Sequence, residues 1–214
     1  ARIAEVAMWL IDHQMNVAVG EKFGMPVLRL PLVKSAKIAN ANALRIDWND
    51  VLPATKCSYV LGNPPFVGKK EQDAAQKADF ALVWKDVKGS GVLDYVTCWH
   101  RTAAKYIKGT KASAAFVSTN SICQGEQVGL LWQELIVSHG VFIRFAHNTF
   151  PWTSEARGKA HVHVVIVGFG LPVTRPVLWD YSADEDNPTR TEVSHICPYL
   201  IEYDDIFILK RSTP

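Results

Sequence analysis

The chain is short of several things, and each shortage removes a class of function. Its 214 residues include four cysteines, Cys57, Cys98, Cys123 and Cys197. None forms a C-x-x-C pair, so neither a zinc ribbon nor a thioredoxin-like redox motif is indicated. Their wide spacing fits reduced thiols in a cytoplasm. No apolar run reaches the ~18 residues of a membrane span, and nothing suggests secretion. Net charge is only +2, so a DNA partner would have to be met by local patches of basic residues. There is no internal repeat and no low-complexity tract. No G-x-G occurs before Asn63, and no N-cap precedes the helical pattern that begins at Ala1. That opening, and the equally abrupt Lys210 to Pro214 end, are expected of a piece cut from a longer protein.

What is present is ordinary for a globular domain: 48% hydrophobic and 21% charged residues, with length enough for a sizeable core. Ile3, Val6, Ala7, Leu10 and Ile11 recur at helical spacing. Ala43 to Ile46 and Cys57 to Leu61 are strand candidates, the second stopped by Gly62-Asn63-Pro64-Pro65. Gly68 to Asp79 reads as a loop or short helix. Val92 to Ile107 is an amphipathic helix closed by Gly109. Ala112 to Val117 reads as a strand, Gln127 to Ser138 as a helix ended by Gly140. Val141 to Ala146 and Val162 to Phe169 are strands with no helix between them, so they should pair antiparallel. Strands alternating with helices imply an α/β domain with a mainly parallel sheet. The expected domain is 1–170. Residues 171–214, broken by Pro172, Pro176, Pro188 and Pro198, read as an exit segment.

The residues that carry chemistry are Asn63-Pro64-Pro65-Phe66, directly after an apolar strand. Ligands of open α/β sheets bind beyond the carboxyl ends of strands. The lone pair of an aromatic amine is delocalised into its ring, which makes the nitrogen a poor nucleophile. Two acceptors at its two N–H groups draw it toward tetrahedral geometry. The Asn63 side-chain oxygen suits one N–H and the Pro64 carbonyl the other. The prolines fix φ and remove competing donors. Phe66 offers a face for a base flipped out of the duplex, a stack worth about 1–3 kcal/mol. A plain Asn-Pro turn is the rival reading. Such a tetrapeptide arises by chance in about one chain of this length per hundred, which favours the chemical one.

Asn-Pro-Pro-Phe is the hallmark of amino-methyltransferases, and Gly62-Asn63-Pro64-Pro65-Phe66-Val67-Gly68 resembles that loop in the large MmeI-like restriction–modification enzymes. Further segments resemble the family in order: Asn42 to Trp48; Asp94-Tyr95; Phe116 to Ser121 with Gln124 to Gln127; Phe150-Pro151-Trp152 with Ala156, then His161 to Phe169. Ile196 to Leu200 resembles its bridge to a target-recognition domain. The resemblance implies a partial Rossmann-like fold of class I S-adenosylmethionine-dependent methyltransferases, lacking its central first strands and ending in an antiparallel β hairpin. It implies methyl transfer to the N6 amine of adenine in double-stranded DNA, within a restriction–modification enzyme of a bacterial cytoplasm. Asn63, Pro64, Pro65 and Phe66 are then catalytic. Asn42, Ala43, Asp47, Asn63 and Asp94 face S-adenosylmethionine. Phe66, Phe150 and Trp152 enclose the target base. No metal is called for. The family's glycine-rich cofactor loop has no counterpart here, so this chain alone is expected to bind the cofactor weakly or not at all, and a bare strand edge invites either self-association or cover by the N-terminal segment, residues 1–50.

Other readings stay open. Asp47 is equally a helix or turn cap, and Asp94 equally a helix-terminal charge favoured by the dipole. Phe150 and Trp152 are equally core aromatics. His161 and His163 share a strand face, which favours a solvated or paired face over a metal site. Lys69, Lys70, Arg157 and Lys159 flank the proposed catalytic loops and suit either DNA phosphates or solvent. The rival functions are methylation of protein glutamine or RNA, and a catalytically inert fragment.

Overall fold

Strand residues with small and branched side chains build the sheet, and the helix that precedes its second strand packs a buried face on it. The structure is a computed structural model that describes residues 2–24, 36–152 and 162–208. It forms two compact units, divided between Val51 and Leu52.

The first unit contains α1 (Arg2–Phe23), the helix that the opening periodicity predicts. Its apolar residues Ile3, Val6, Leu10 and Ile11 are exposed. No strand is described at 43–46. The Asn42 side chain accepts from the Leu44 N–H at 2.9 Å, and the Asn42 carbonyl accepts from the Arg45 N–H at 2.9 Å. This local bonding closes a turn and displaces the expected strand. Asp47 then accepts from the Asn49 N–H at 2.8 Å and heads the short α2 (Trp48–Val51).

The second unit is a six-stranded mixed sheet in the order β1-β2-β4-β3-β5-β6. The strands are β1 (Tyr59–Gly62), β2 (Ser113–Thr119), β3 (Phe142–Trp152), β4 (Val162–Gly170), β5 (Val177–Asp180) and β6 (Thr189–Glu192). β1 and β2 are parallel, and β4 lies antiparallel between β2 and β3, as the absence of a helix between β3 and β4 predicts. β5 joins β3 in parallel, and β6 closes a hairpin on it. The segment read as an exit therefore adds two strands to this sheet, and Ile196, Cys197 and Leu200 are buried. A proline-interrupted stretch of four-residue strands offers too short a pattern to read.

Between them lie α3 (Ala74–Trp84), α4 (Thr97–Ile107) and α5 (Gln127–Gln133), which runs on as a π-helical turn from Glu134 to Ser138. A capping box starts α3: Asp73 Oδ1 accepts from Gln76 N at 2.8 Å and Gln76 Oε1 from Asp73 N at 3.0 Å. α4 begins at Thr97, later than the expected Val92. Leu93 is extended, and Asp94 stands just ahead of the helix with its carbonyl accepting from the Thr97 N–H at 3.1 Å. α4 buries Cys98, His100, Arg101, Ala104 and Ile107, while Ala114, Phe116, Val165, Val167 and Phe169 form the sheet's buried face. On the opposite face Tyr59 and Leu61 are 73% and 76% exposed. Among the described residues the outer side of β1 has no partner strand.

Candidate active site

Asn63 follows the last residue of β1 at its carboxyl end, where the chain leaves the sheet. Gly62 permits this exit to run close to β2, since a Cβ there would sit 3.2 Å from the Phe116 ring. Asn63 and Pro65 are exposed, Pro64 is buried, and Phe66 is half-buried. The Asn63 side chain is thus in solvent, while the next residue anchors the loop.

The far end of this loop is pinned to the segment that precedes α4. The Tyr95 N–H donates to the Val67 carbonyl at 3.0 Å, and the Lys69 N–H donates to Asp94 Oδ1 at 2.9 Å. Asp94 Oδ2 accepts from Ser121 Oγ at 2.8 Å and from Gln127 Nε2 at 2.7 Å. Gln127 Oε1 in turn accepts from the Asp94 N–H at 2.8 Å. Lys69 Nζ meets Glu126 at 2.5 Å. With both partners well exposed, that ion pair is worth no more than about 1 kcal/mol. It occupies one of the cations proposed for DNA phosphates, while Lys70 is exposed. Below this network the Tyr95 hydroxyl donates to the buried Asp79 at 2.8 Å, and burial together with that carboxylate raises the phenol well above its ordinary range.

Sheet register brings Phe150 to the same end of the sheet. Thr119, the last residue of β2, and Phe150 both stand opposite Val164. Between His147 and Phe150 the pairing of β3 with β4 shifts by one residue, a β-bulge. His147 faces Ile166 and Phe150 faces Val164, so both rings share one face despite an odd separation. A second residue pair, invisible in the sequence reading, completes an aromatic row. Tyr181 stacks on Phe150 with centroids 4.7 Å apart, and Trp179 lies parallel to His147 at 4.4 Å. The Tyr181 hydroxyl is 2.7 Å from His147 Nδ1. Burial lowers the His147 pKa, which keeps the ring neutral near pH 7. Trp152 lies 6.5 Å from Phe150, ring to ring. Aromatics alternating at 179 and 181 were the available sequence signal. His163 is exposed on β4; Ala156, Arg157, Lys159 and His161 lie outside the described residues.

The model of the MmeI DNA-methyltransferase domain matches residues 1–180. This chain belongs to that family. It is 40% identical over 215 residues to DNA methyltransferase A of Bacillus subtilis (strain 168), covering 99% of this chain and 24% of that protein. The solved structure of the type IIL restriction–modification enzyme MmeI in complex with DNA superposes with a TM-score of 0.87 at 49% identity, over 99% of this chain and 28% of that one. The chain therefore spans about a quarter of the length of these relatives. The mixed sheet, with β4 antiparallel inside it, is a partial Rossmann-like methyltransferase fold.

Membership in the MmeI family implies a methyl donor. Four of the residues expected on its side make hydrogen bonds within the protein. Asn42 closes its own turn, Asp47 caps α2, and the Asp94 carboxylate is taken up by three donors of the protein. Ala43 lends its carbonyl to the Trp48 indole N–H at 2.7 Å. Among the described residues no helix is long and apolar enough to cross a membrane.

Proposed function

We propose that the enzyme containing this chain methylates the N6 amine of adenine in double-stranded DNA, with S-adenosylmethionine as donor, as part of a restriction–modification system. The observation that carries this reading is the loop Asn63-Pro64-Pro65-Phe66, leaving the carboxyl end of β1 with Asn63 exposed and Pro64 buried. The Asn63 side-chain oxygen accepts one N–H of the amine and the Pro64 carbonyl accepts the other. Neither group is basic enough to remove a proton from the neutral amine. They localise its lone pair, which forms the new N–C bond as the donor's C–S bond breaks and its thioether leaves, and the cationic nitrogen then loses a proton to solvent. The half-buried Phe66 supplies one face of a base pocket, and Phe150 and Trp152, at the same end of the sheet, supply its opposite wall. Family membership, the DNA-bound MmeI relative and the loop's fixed ends support the proposal.

The test is single-turnover methylation of a duplex by the complete enzyme and its Asn63→Ala variant. Loss of an acceptor that acts in the transition state costs about 3–4 kcal/mol, a drop of some hundredfold or more. Binding of S-adenosylmethionine should change much less. A variant that keeps half the wild-type rate would remove Asn63 from the chemistry.

A further inference from the structure

We infer that Asp94 and Gln127 are positioning residues, forming a bracket that holds the Asn63 loop in its working geometry. The inference rests on the reading of that loop as the amine-binding site. A carboxylate has room for about four hydrogen bonds. Asp94 takes three, and they come from three separate segments: the Lys69 N–H, the Ser121 hydroxyl just past β2, and the Gln127 amide at the head of α5. Gln127 is buried, 8% exposed, and grips Asp94 twice, accepting from its N–H and donating to its carboxylate. This mutual grip sets the carboxylate's direction before any ligand arrives.

The loop is short enough for that grip to reach Asn63. Its near end is fixed in the sheet through Gly62, which pairs with Phe116. Its far end is fixed at two adjacent points, the Val67 carbonyl and the Lys69 N–H. Between these anchors Pro64 and Pro65 each have φ fixed by their rings, and Phe66 is half-buried. Few torsions remain free, so displacement at residues 67–69 becomes displacement of the Asn63 amide. A misplacement of about 1 Å at a reacting group can cost about 10²-fold in rate. With its three hydrogen bonds to the protein, the carboxylate acts through the loop rather than on the donor.

The experiment compares wild type, Gln127→Met, Asp94→Asn and Asn63→Ala in the complete enzyme. It measures single-turnover methylation, S-adenosylmethionine binding by calorimetry, and hydrogen exchange of amides 66–70 against those of β2. For Gln127→Met and Asp94→Asn the expected result is a fall in rate of about 10²-fold, unchanged cofactor affinity, and lost protection at 66–70 with β2 still protected. Ser121→Ala, which removes a single half-buried donor, gives a smaller fall in the same pattern and serves where a core variant fails to fold. Cofactor affinity falling in step with rate would place Asp94 on the cofactor and overturn the bracket. Unchanged rates would overturn it as well. Asn63→Ala separates the two levels: it should lose rate while amides 66–70 stay protected. If it instead keeps its rate, the amine-binding reading of the loop fails, and the bracket's purpose with it.

Discussion

His100 lies wholly inside the second unit, against the rings of Phe116 and Phe169. The Val96 carbonyl, 3.1 Å away, can only accept, so Nδ1 carries the proton and Nε2, 3.3 Å from Ser118 Oγ, accepts from that hydroxyl. Removal from water disfavours the cation and takes the pKa from 6.5 down to about 4. Between those two values the unfolded chain binds a proton that the folded one refuses. Stability is therefore level above about pH 6.5 and falls as pH drops through that window. The loss approaches about 3 kcal/mol by the lower end. Thermal unfolding at pH 7 and pH 4.5 should show His100→Gln less stable than wild type at pH 7, with the gap narrowing or reversing at pH 4.5. A gap that stays constant would mean His100 titrates normally.

Helices α3, α4 and α5 meet around one buried cation. Arg101 of α4, 2% exposed, donates to the Val83 carbonyl at the end of α3, to Asp86 at 2.7 Å, and to Glu134 at 2.6 Å where α5 turns into its π-helical segment. Its guanidinium also stacks 5.0 Å above the Trp84 ring. The guanidinium holds the Asp86 carboxyl well below the usual carboxylate range and lowers Glu134 against the opposing effect of burial. Removing Arg101 leaves Glu134, its side chain 13% exposed, charged and without its guanidinium, at a cost of about 3–5 kcal/mol. Urea denaturation of Arg101→Ala should show a loss of that size. Arg101→Met with Glu134→Leu should recover part of it, because no lone charge is then left inside. At the same scale, the β3 bulge is what turns Phe150 onto the face of His147, Trp179 and Tyr181.

At the scale of the whole chain the outstanding feature is an open edge. β1 pairs with β2 on one side, and on the other its backbone has no partner strand among the described residues. Tyr59 and Leu61 stand largely in solvent beside it. An apolar edge of this kind templates pairing with another chain unless a charge interrupts it. The isolated 214-residue chain should therefore self-associate at micromolar concentration and bind S-adenosylmethionine weakly or not at all, and Leu61→Lys should shift it toward monomer. Analytical ultracentrifugation with a cofactor titration measures both. A wild-type monomer with tight cofactor binding would contradict the expectation.

Composition and pattern alone determined the class of the molecule. Apolar runs of strand length alternating with helical periodicity led to an α/β sheet, and an apolar run ending in Asn63-Pro64-Pro65-Phe66 located the loop at a strand's carboxyl end. The β3–β4 hairpin followed from the lack of a helix between two strands. These features are local, because propensity, periodicity and turn chemistry act within a few residues. The rest depended on partners far apart in the chain. Asn42 closing a turn where a strand was expected shows a side chain outcompeting a weak four-residue pattern. The α3 helix, β5 and β6 gain their stability from contacts outside their own short spans. Asp94 could be read from the sequence as a helix charge or a ligand. Its bonds to Lys69, Ser121 and Gln127, up to 33 residues away, tie it to the far end of the loop. Spacing cannot reveal such a role, since hydrogen bonds between distant segments exist only once the sheet has set β1 and β2 side by side.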